Sequence, residues 1–246
     1  MKSVTGAEFM EKTKYRYLGE SDQAKELPQP PVEKPAEPGK PVIQLPKPKA
    51  WPGVATDLTQ AIQDRVSVRR YGPKPLTLME LAYLLWCAQG VKSIEARQVT
   101  LRNVPSAGAR HPLETYVLAN NVAGLSPGLY RYIATAHVLT PITTEAGLAE
   151  QLARACLNQR MVSQAAAAFF WAADAYRCAW RYGERGYRYM HLDAGHACQN
   201  LALAAVAIGG GSCAVGAYDD DAVNRLLGLD GVDDFVVYAA VVGKQP

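Results

Sequence analysis

The sequence is poor in the residues that staple small domains together. Its five cysteines, Cys87, Cys156, Cys178, Cys198 and Cys213, are an odd number, and no two stand in C-x-x-C spacing. That excludes a disulfide framework and a zinc site. Isolated cysteines in apolar stretches act as small buried hydrophobes, and a reduced, cytoplasmic protein is the simplest expectation. Blocks of five or more lysines and arginines are absent, and the net charge is only +3. No nucleic acid partner is therefore expected. No G-x-G-x-x-G follows a strand and no G-x-x-x-x-G-K-[ST] occurs, so neither a Rossmann domain nor a P-loop is supported. A G-x-S-x-G elbow is also missing. The opening MKSVTGAEFMEKTKY holds no apolar run of signal-peptide length. Ala194 to Tyr218 lacks Asp, Glu, Lys and Arg and is long enough to span a bilayer. It carries His196, Gln199, Asn200 and a Gly209-Gly210-Gly211 break, so it reads as a buried helix followed by a loop, and no membrane partner is expected.

What is present is a core and a strap. Hydrophobic residues make up 49% of the 246 positions, enough to bury one sizeable domain. Nine of the sixteen prolines fall between Pro28 and Pro52. Proline fixes φ and removes a donor, so this stretch is expected to form no helix or sheet ladder. Residues 1–52 read as a proline-rich extension, either docked as a strap or left as a flexible tail. Residues 53–246 read as the folded domain.

Within that domain, Leu58, Ala61, Ile62 and Arg65 step at helical spacing, with Thr56 or Asp57 as the cap. Thr77 and Glu80 form a capping box for a helix over Leu78–Trp86 that Gly90 ends. Leu113–Ala119 and Gly128–Tyr132 read as strands, and His137–Leu139 as a hairpin partner. Residues 145–160 read as a helix, Ala165–Ala173 as a central strand, and Tyr176–Tyr182 and Asp220–Leu227 as helices. Tyr187–Ile208 reads as a helix apolar on nearly all sides, for which a partner subunit is the expected cover. Phe235–Val242 closes the chain as a buried strand. The mixture is α+β.

Three clusters can carry chemistry. In extended chain, Arg65, Ser67 and Arg69 point the same way. Two guanidiniums and a hydroxyl then suit a phosphate; a solvated basic face beside a helix end is the plainer alternative. Pro105-Ser106-Ala107-Gly108 offers small residues and free amides to a flat ring, with Arg110 and His111 adding positive charge; an ordinary loop entering a strand reads equally well. The third, Gly209 to Ala217, can be a helix cap and nothing more. Arg181, Tyr182, Arg185, Tyr187, Arg188 and Tyr189 add a basic aromatic patch, whose plainer reading is rings packing on the core. His191 and His196 are five apart on a helix and share no face, so no metal site is expected.

Taken in order, these segments resemble the nitroreductase superfamily, and most closely its SagB/ThcOx-type branch. The likeness covers about residues 57–243. It rests on RVSVRRYGPKPLTLMELAYLLWCAQG, PSAGARHPLETYVL with GLYRY, YGERGYRYMHLDAGHACQNLALAA, and AVGAYDDDAVNRLLGLDG. The resemblance implies a central mixed or antiparallel sheet flanked by helices in an intertwined homodimer, with FMN bound between subunits. By position, Arg65, Ser67 and Arg69 would hold the FMN phosphate and ribityl chain. Pro105, Ser106, Ala107 and Gly108 would back the isoalloxazine, with Arg110 beside them, and Val215, Gly216 and Ala217 would face N5. Where peptide-azoline dehydrogenases of this branch often carry a Lys-Tyr pair, this chain has Arg181-Tyr182. Arginine stays charged and shuttles protons poorly, which leaves Tyr182 as the acid or base. Lys244 is the expected substitute for phosphate contacts that a C-terminal extension makes in some nitroreductases.

The expected activity is hydride transfer through flavin N5 by a ping-pong mechanism. NAD(P)H is a candidate electron donor, and the substrate is a small molecule or a peptide. The rivals are an azoline dehydrogenase of thiazole/oxazole-modified peptide biosynthesis and a non-catalytic flavin-binding scaffold.

Overall fold

The computed structural model describes residues 4–47, 51, 56–96 and 98–246; the boundary expected at residues 52 and 53 lies outside the described residues. In chain order the elements are α1 (Val4–Lys12), β1 (Ile43–Gln44), α2 (Leu58–Asp64), β2 (Leu76–Thr77), α3 (Leu78–Gln89), β3 (Val91–Glu95), β4 (Val99–Arg102), β5 (Leu113–Ala119), β6 (Val122–Ala123), β7 (Gly128–Ile133), β8 (Val138–Thr143), α4 (Leu148–Ala155), α5 (Met161–Gln164), β9 (Ala167–Asp174), α6 (Ala175–Tyr182), α7 (Gly186–Ala207), β10 (Gly210–Val215), α8 (Asp220–Leu227) and β11 (Asp234–Lys244). Seven strands form one sheet in the order β1-β8-β7-β5-β9-β11-β10, and every neighbouring pair is antiparallel. The expected α+β layout is the one found.

The central position of β9 explains its unbroken apolar run. Side chains alternate across a strand. Phe169, Trp171 and Ala173 enter a core shared with Leu81, Leu84, Cys178, Met190 and Leu201 of α3, α6 and α7. Ala168, Phe170 and Ala172 enter a second core with Leu152, Val162, Val223 and Leu227 of α4, α5 and α8. Both faces are covered, so neither set is polar. The predicted cap of α3 is in place: Thr77 Oγ1 accepts from Glu80 N at 3.1 Å, and Glu80 Oε2 accepts from Thr77 N at 2.9 Å.

Three local expectations need correction. The helix expected over 145–160 is broken, because Leu157 and Asn158 take left-handed φ values of 55° and 61° between α4 and α5. Triple glycine is more than a cap: Gly209 turns the chain at φ 63°, while Gly210 and Gly211 already belong to edge strand β10. Nor is the proline-rich stretch free of ladders, since Ile43 and Gln44 pair with Leu139 and Val138.

The extension is docked. Glu33 accepts from the amides of Ala134 and Thr135 at 2.8 and 3.0 Å. Arg131 donates to the Lys34 and Pro35 carbonyls at 2.8 and 2.6 Å, and Glu114 accepts from the Lys34 amide at 2.8 Å. Carbonyls of a proline-rich chain have no partner within it, and buried arginines supply the donors. Nearer the N-terminus, Arg185 donates to Thr13 O at 3.0 Å and lies 4.3 Å from the Tyr15 ring centre. The basic aromatic patch is thus a landing site for the extension.

Within one chain, helix α7 is covered on one face only. Met190, Asp193, Ala194, Ala197, Cys198 and Leu201 are buried, while His191, Leu192, Gly195, His196 and Gln199 are exposed. Leu58, Ile62 and Val66, on and just after α2, are also more than half exposed.

Candidate functional site

The R-x-S-x-R segment leaves α2 in extended form and runs beside the sheet edge. Ser67 bridges Ser212 of β10 in parallel, and Val68 N donates to Ser212 O at 2.9 Å. This approach depends on Gly211, where an added Cβ would sit 2.5 Å from Val68 Cγ2. Glycine is required there for close backbone contact. Arg65 and Ser67 line one cavity of about 150 Å³ with Gly195, Cys198 and Gln199 of α7, Ser212 and Ala214 of β10, and Tyr238 of β11. Arg69 does not line it; its Nη1 lies 3.5 Å from Ser67 O. Two of the three predicted phosphate groups therefore converge, on a space of phosphate size.

Val215 ends β10 at the same sheet edge, and Gly216 and Ala217 follow it. Val215 is buried, and Gly216 and Ala217 are exposed. A Cβ on Gly216 would stand 3.7 Å from the Tyr238 ring, which ties this stretch to the Arg65–Ser67 cavity. Lys244 does not serve that cavity. Its ammonium pairs with Glu80 and the Ile208 carbonyl, which fastens β11 to α3 and the end of α7.

The PSAG loop stands elsewhere on the chain, between β4 and β5. Gly108 takes φ 55°, and Ala109 and His111 take 53° and 43°. Left-handed backbone at non-glycine residues is strained and persists where its surroundings hold it. Ser106 Oγ donates to Asp193 Oδ2 of α7 at 2.5 Å and accepts from His111 N at 2.9 Å. Arg181 and Tyr182, at the end of α6, lie over Gly108, where a Cβ would collide with the Tyr182 hydroxyl. The structure thus gathers Gly108, Arg110, Arg181 and Tyr182. Gly108, Ala109, Arg110 and Arg181 line a cavity of about 600 Å³ with Gln23 and Gln29 of the extension. Pro105 and Ser106 face a separate one of about 540 Å³. No cavity among these joins the loop to the Arg65–Ser67 cluster within one chain.

Electrostatics around the loop differ from the sequence expectation in one respect. His111 supplies no charge: burial, then Arg102 and Arg110, push its imidazole down to about 3. Arg110 does supply charge. It is buried, donates from Nε to Arg177 O at 3.3 Å, lies 5.1 Å from the Trp180 ring centre, and leaves Nη2 without a partner. Burial pushes the Tyr182 phenol above its usual range, and Arg181 pulls it back in part. Asp193 was not among the expected site residues. Burial lifts its carboxyl to about 6 against hydrogen bonds from Ser106 and Ala107. Its signal was a lone acid on the buried face of an apolar helix.

These residues fit an FMN. A phosphate-sized cavity offers a guanidinium and a hydroxyl beside glycine-thinned backbone, and a small-residue loop has an unpartnered guanidinium nitrogen behind it. The two halves open in different places on the chain.

The nitroreductase family model matches residues 62–244. The chain belongs to the nitroreductase family. It is 38% identical over 170 residues to a Methanocaldococcus jannaschii protein that carries a provisional nitroreductase name, covering 69% of this chain and 83% of that one. It is 34% identical over 146 residues to the trifolitoxin-processing protein TfxB of Rhizobium leguminosarum, covering 58% of this chain and 39% of that one. This second likeness supports the SagB-type branch. A crystal structure from Anabaena variabilis, also provisionally named a nitroreductase, superposes with TM-score 0.70 at 32% identity over 85% of this chain and 42% of its own. The chain thus spans less than half the length of TfxB and of the Anabaena protein. Among the described residues no helix is long and apolar enough to cross a membrane.

Proposed function

We propose that the protein is an FMN-dependent oxidoreductase of SagB type, active as a homodimer with each flavin held between two subunits. The observation that carries this reading is the pairing of an Arg65–Ser67–Ser212 cavity with a PSAG loop that opens elsewhere on the same chain. The exposed Leu58, Ile62 and Val66, with Leu192 on the open and otherwise polar face of α7, supply the surface for the second copy. FMN held there would supply hydride transfer at N5, the chemistry of a ping-pong oxidoreductase.

The chain's own residues position and tune. Arg65 and Ser67 hold the phosphate, and the exposed Arg69 adds positive charge two residues along the same segment. Ala107 and Gly108 present backbone to the ring without side-chain obstruction. Arg110 places a buried positive charge behind that loop, which favours negative charge on the ring. Tyr182 holds a proton at its hydroxyl over Gly108, and the neighbouring Arg181 eases its release. Arg181 itself stays charged, so it binds and orients and does not shuttle protons. That favours a general or unassigned substrate, with NAD(P)H as donor, over azoline peptides.

The double substitution Arg65→Ala with Arg69→Ala tests the phosphate assignment. Flavin content after purification is expected to fall by more than tenfold while the far-ultraviolet circular dichroism is unchanged. Full flavin occupancy in that variant refutes it.

A further inference from the structure

Asp193 sits on the buried face of α7, beside Met190, Ala194 and Ala197, yet it forms no ion pair among those identified in the described residues. Buried carboxylates without a cation are costly and are kept where they hold something. This one holds the PSAG loop. Ser106 Oγ donates to Asp193 Oδ2 at 2.5 Å, and the Ala107 amide donates to the same carboxylate. With its hydrogen given to Asp193, Ser106 Oγ is free to accept from His111 N at 2.9 Å. One carboxylate therefore holds Ser106 and Ala107 of a strained turn directly, and His111 through Ser106.

We propose that Asp193 is the positioning residue of the flavin loop, and that taking up a proton on Asp193 releases the loop from α7. The inference rests on the reading that this loop backs the flavin. The charged carboxylate accepts both loop donors. The Ser106 and Ala107 bonds lower the carboxyl's pKa against the burial that raises it, so the bonded loop favours the charged form and protonation favours the released loop while Asp193 stays on the buried face of α7. A proton on Oδ2 turns that oxygen from acceptor to donor, so the Ser106 hydrogen loses its acceptor and the turn loosens. The groups facing Asp193 do little to offset this. His196, one turn along α7, attracts it weakly. Ser106 and Ala107 are neutral donors. From α6, Cys178 faces it as a thiol pushed up to about 12 by burial and by Asp193 itself. The carboxyl, lifted to about 6 by burial, thus changes charge within the range where proteins work.

The test uses the full chain and has two readouts. The first is amide hydrogen exchange at residues 106–111 between pH 5 and pH 8 without added flavin, corrected for the intrinsic pH dependence of exchange. Protection is expected to fall at least tenfold as pH drops through about 6, and Asp193→Asn is expected to show no such step. The second is FMN affinity by fluorescence quenching over the same range. The wild type is expected to weaken about tenfold more than Asp193→Asn between pH 7 and pH 5; the FMN phosphate titrates near pH 6 as well, and the variant subtracts that contribution. Should Asp193→Asn fail to fold, Ser106→Ala keeps the carboxylate and is expected to reduce the step. A step that survives in Asp193→Asn, or no step in the wild type, overturns the proposal. A chain that never takes up FMN overturns the proposed function instead, and the exchange readout still decides the role of Asp193.

Discussion

Replacing Glu114 with alanine should unfasten three parts of the molecule at once. Glu114 is buried on β5, and its carboxylate accepts from Arg177 Nη2 at 2.7 Å, Arg131 Nη1 at 3.3 Å and the Lys34 amide at 2.8 Å. Arg177 in turn donates to His111 O at 3.3 Å, and its own carbonyl accepts from Arg110. The carboxylate therefore links the docked extension, the sheet and the loop backing the candidate site. Removing one partner of a buried ion pair costs about 3–5 kcal/mol, because the other charge stays buried. Asp174 still holds Arg177 at 2.9 Å, which places the expectation at the low end, about 3 kcal/mol. For a chain of this size that is a fall in Tm of roughly 6–12 °C. Calorimetry and urea unfolding read it, and limited proteolysis should show faster cleavage between residues 28 and 47. Glu114→Gln, which keeps an acceptor, should fall between. A loss under about 1 kcal/mol with unchanged proteolysis would mean the guanidiniums are satisfied without Glu114, and the linkage argument fails.

Two further predictions bear on the site. His111 is held neutral, pushed down to about 3 from an ordinary 6.5. The unfolded chain gains a proton below about pH 6.5 that the folded chain refuses, so the contribution is full above that pH and is lost as pH falls towards 3. Urea midpoints measured against pH should show a shallower acid limb for His111→Asn than for the wild type, and parallel limbs would refute the assignment. Gly211→Ala should push the Arg65–Arg70 segment off β10, since the new methyl meets Val68 at 2.5 Å. Its FMN affinity, read by fluorescence titration, should fall at least tenfold with a stability loss of about 1–3 kcal/mol; unchanged affinity would show that the segment can shift freely.

Much of this was legible in the residues, and what was missed has physical causes. The Thr77–Glu80 cap, the apolar run of β9 and the hairpin of β7 and β8 follow from local pattern, and the structure has them. The break between α4 and α5 was hidden because Leu157 and Asn158 carry no glycine or proline signal for their left-handed backbone. Strand β1 was invisible because two residues in a proline-rich stretch pair only once β8 offers an edge. The charge of His111 was misjudged because burial, which no composition shows, outweighs its proximity to the site. Lys244, expected to make phosphate contacts, is claimed by Glu80 and the Ile208 carbonyl, a long-range contact beyond any motif. Asp193 carries no local signal of its role, which depends on a loop 87 positions away.

The visible spectrum of the purified full-length protein, titrated with FMN, tests the central claim most directly. The account predicts flavin absorbance that co-elutes with a dimer at about one FMN per chain. A colourless monomer that takes up no FMN at saturating concentration would contradict it.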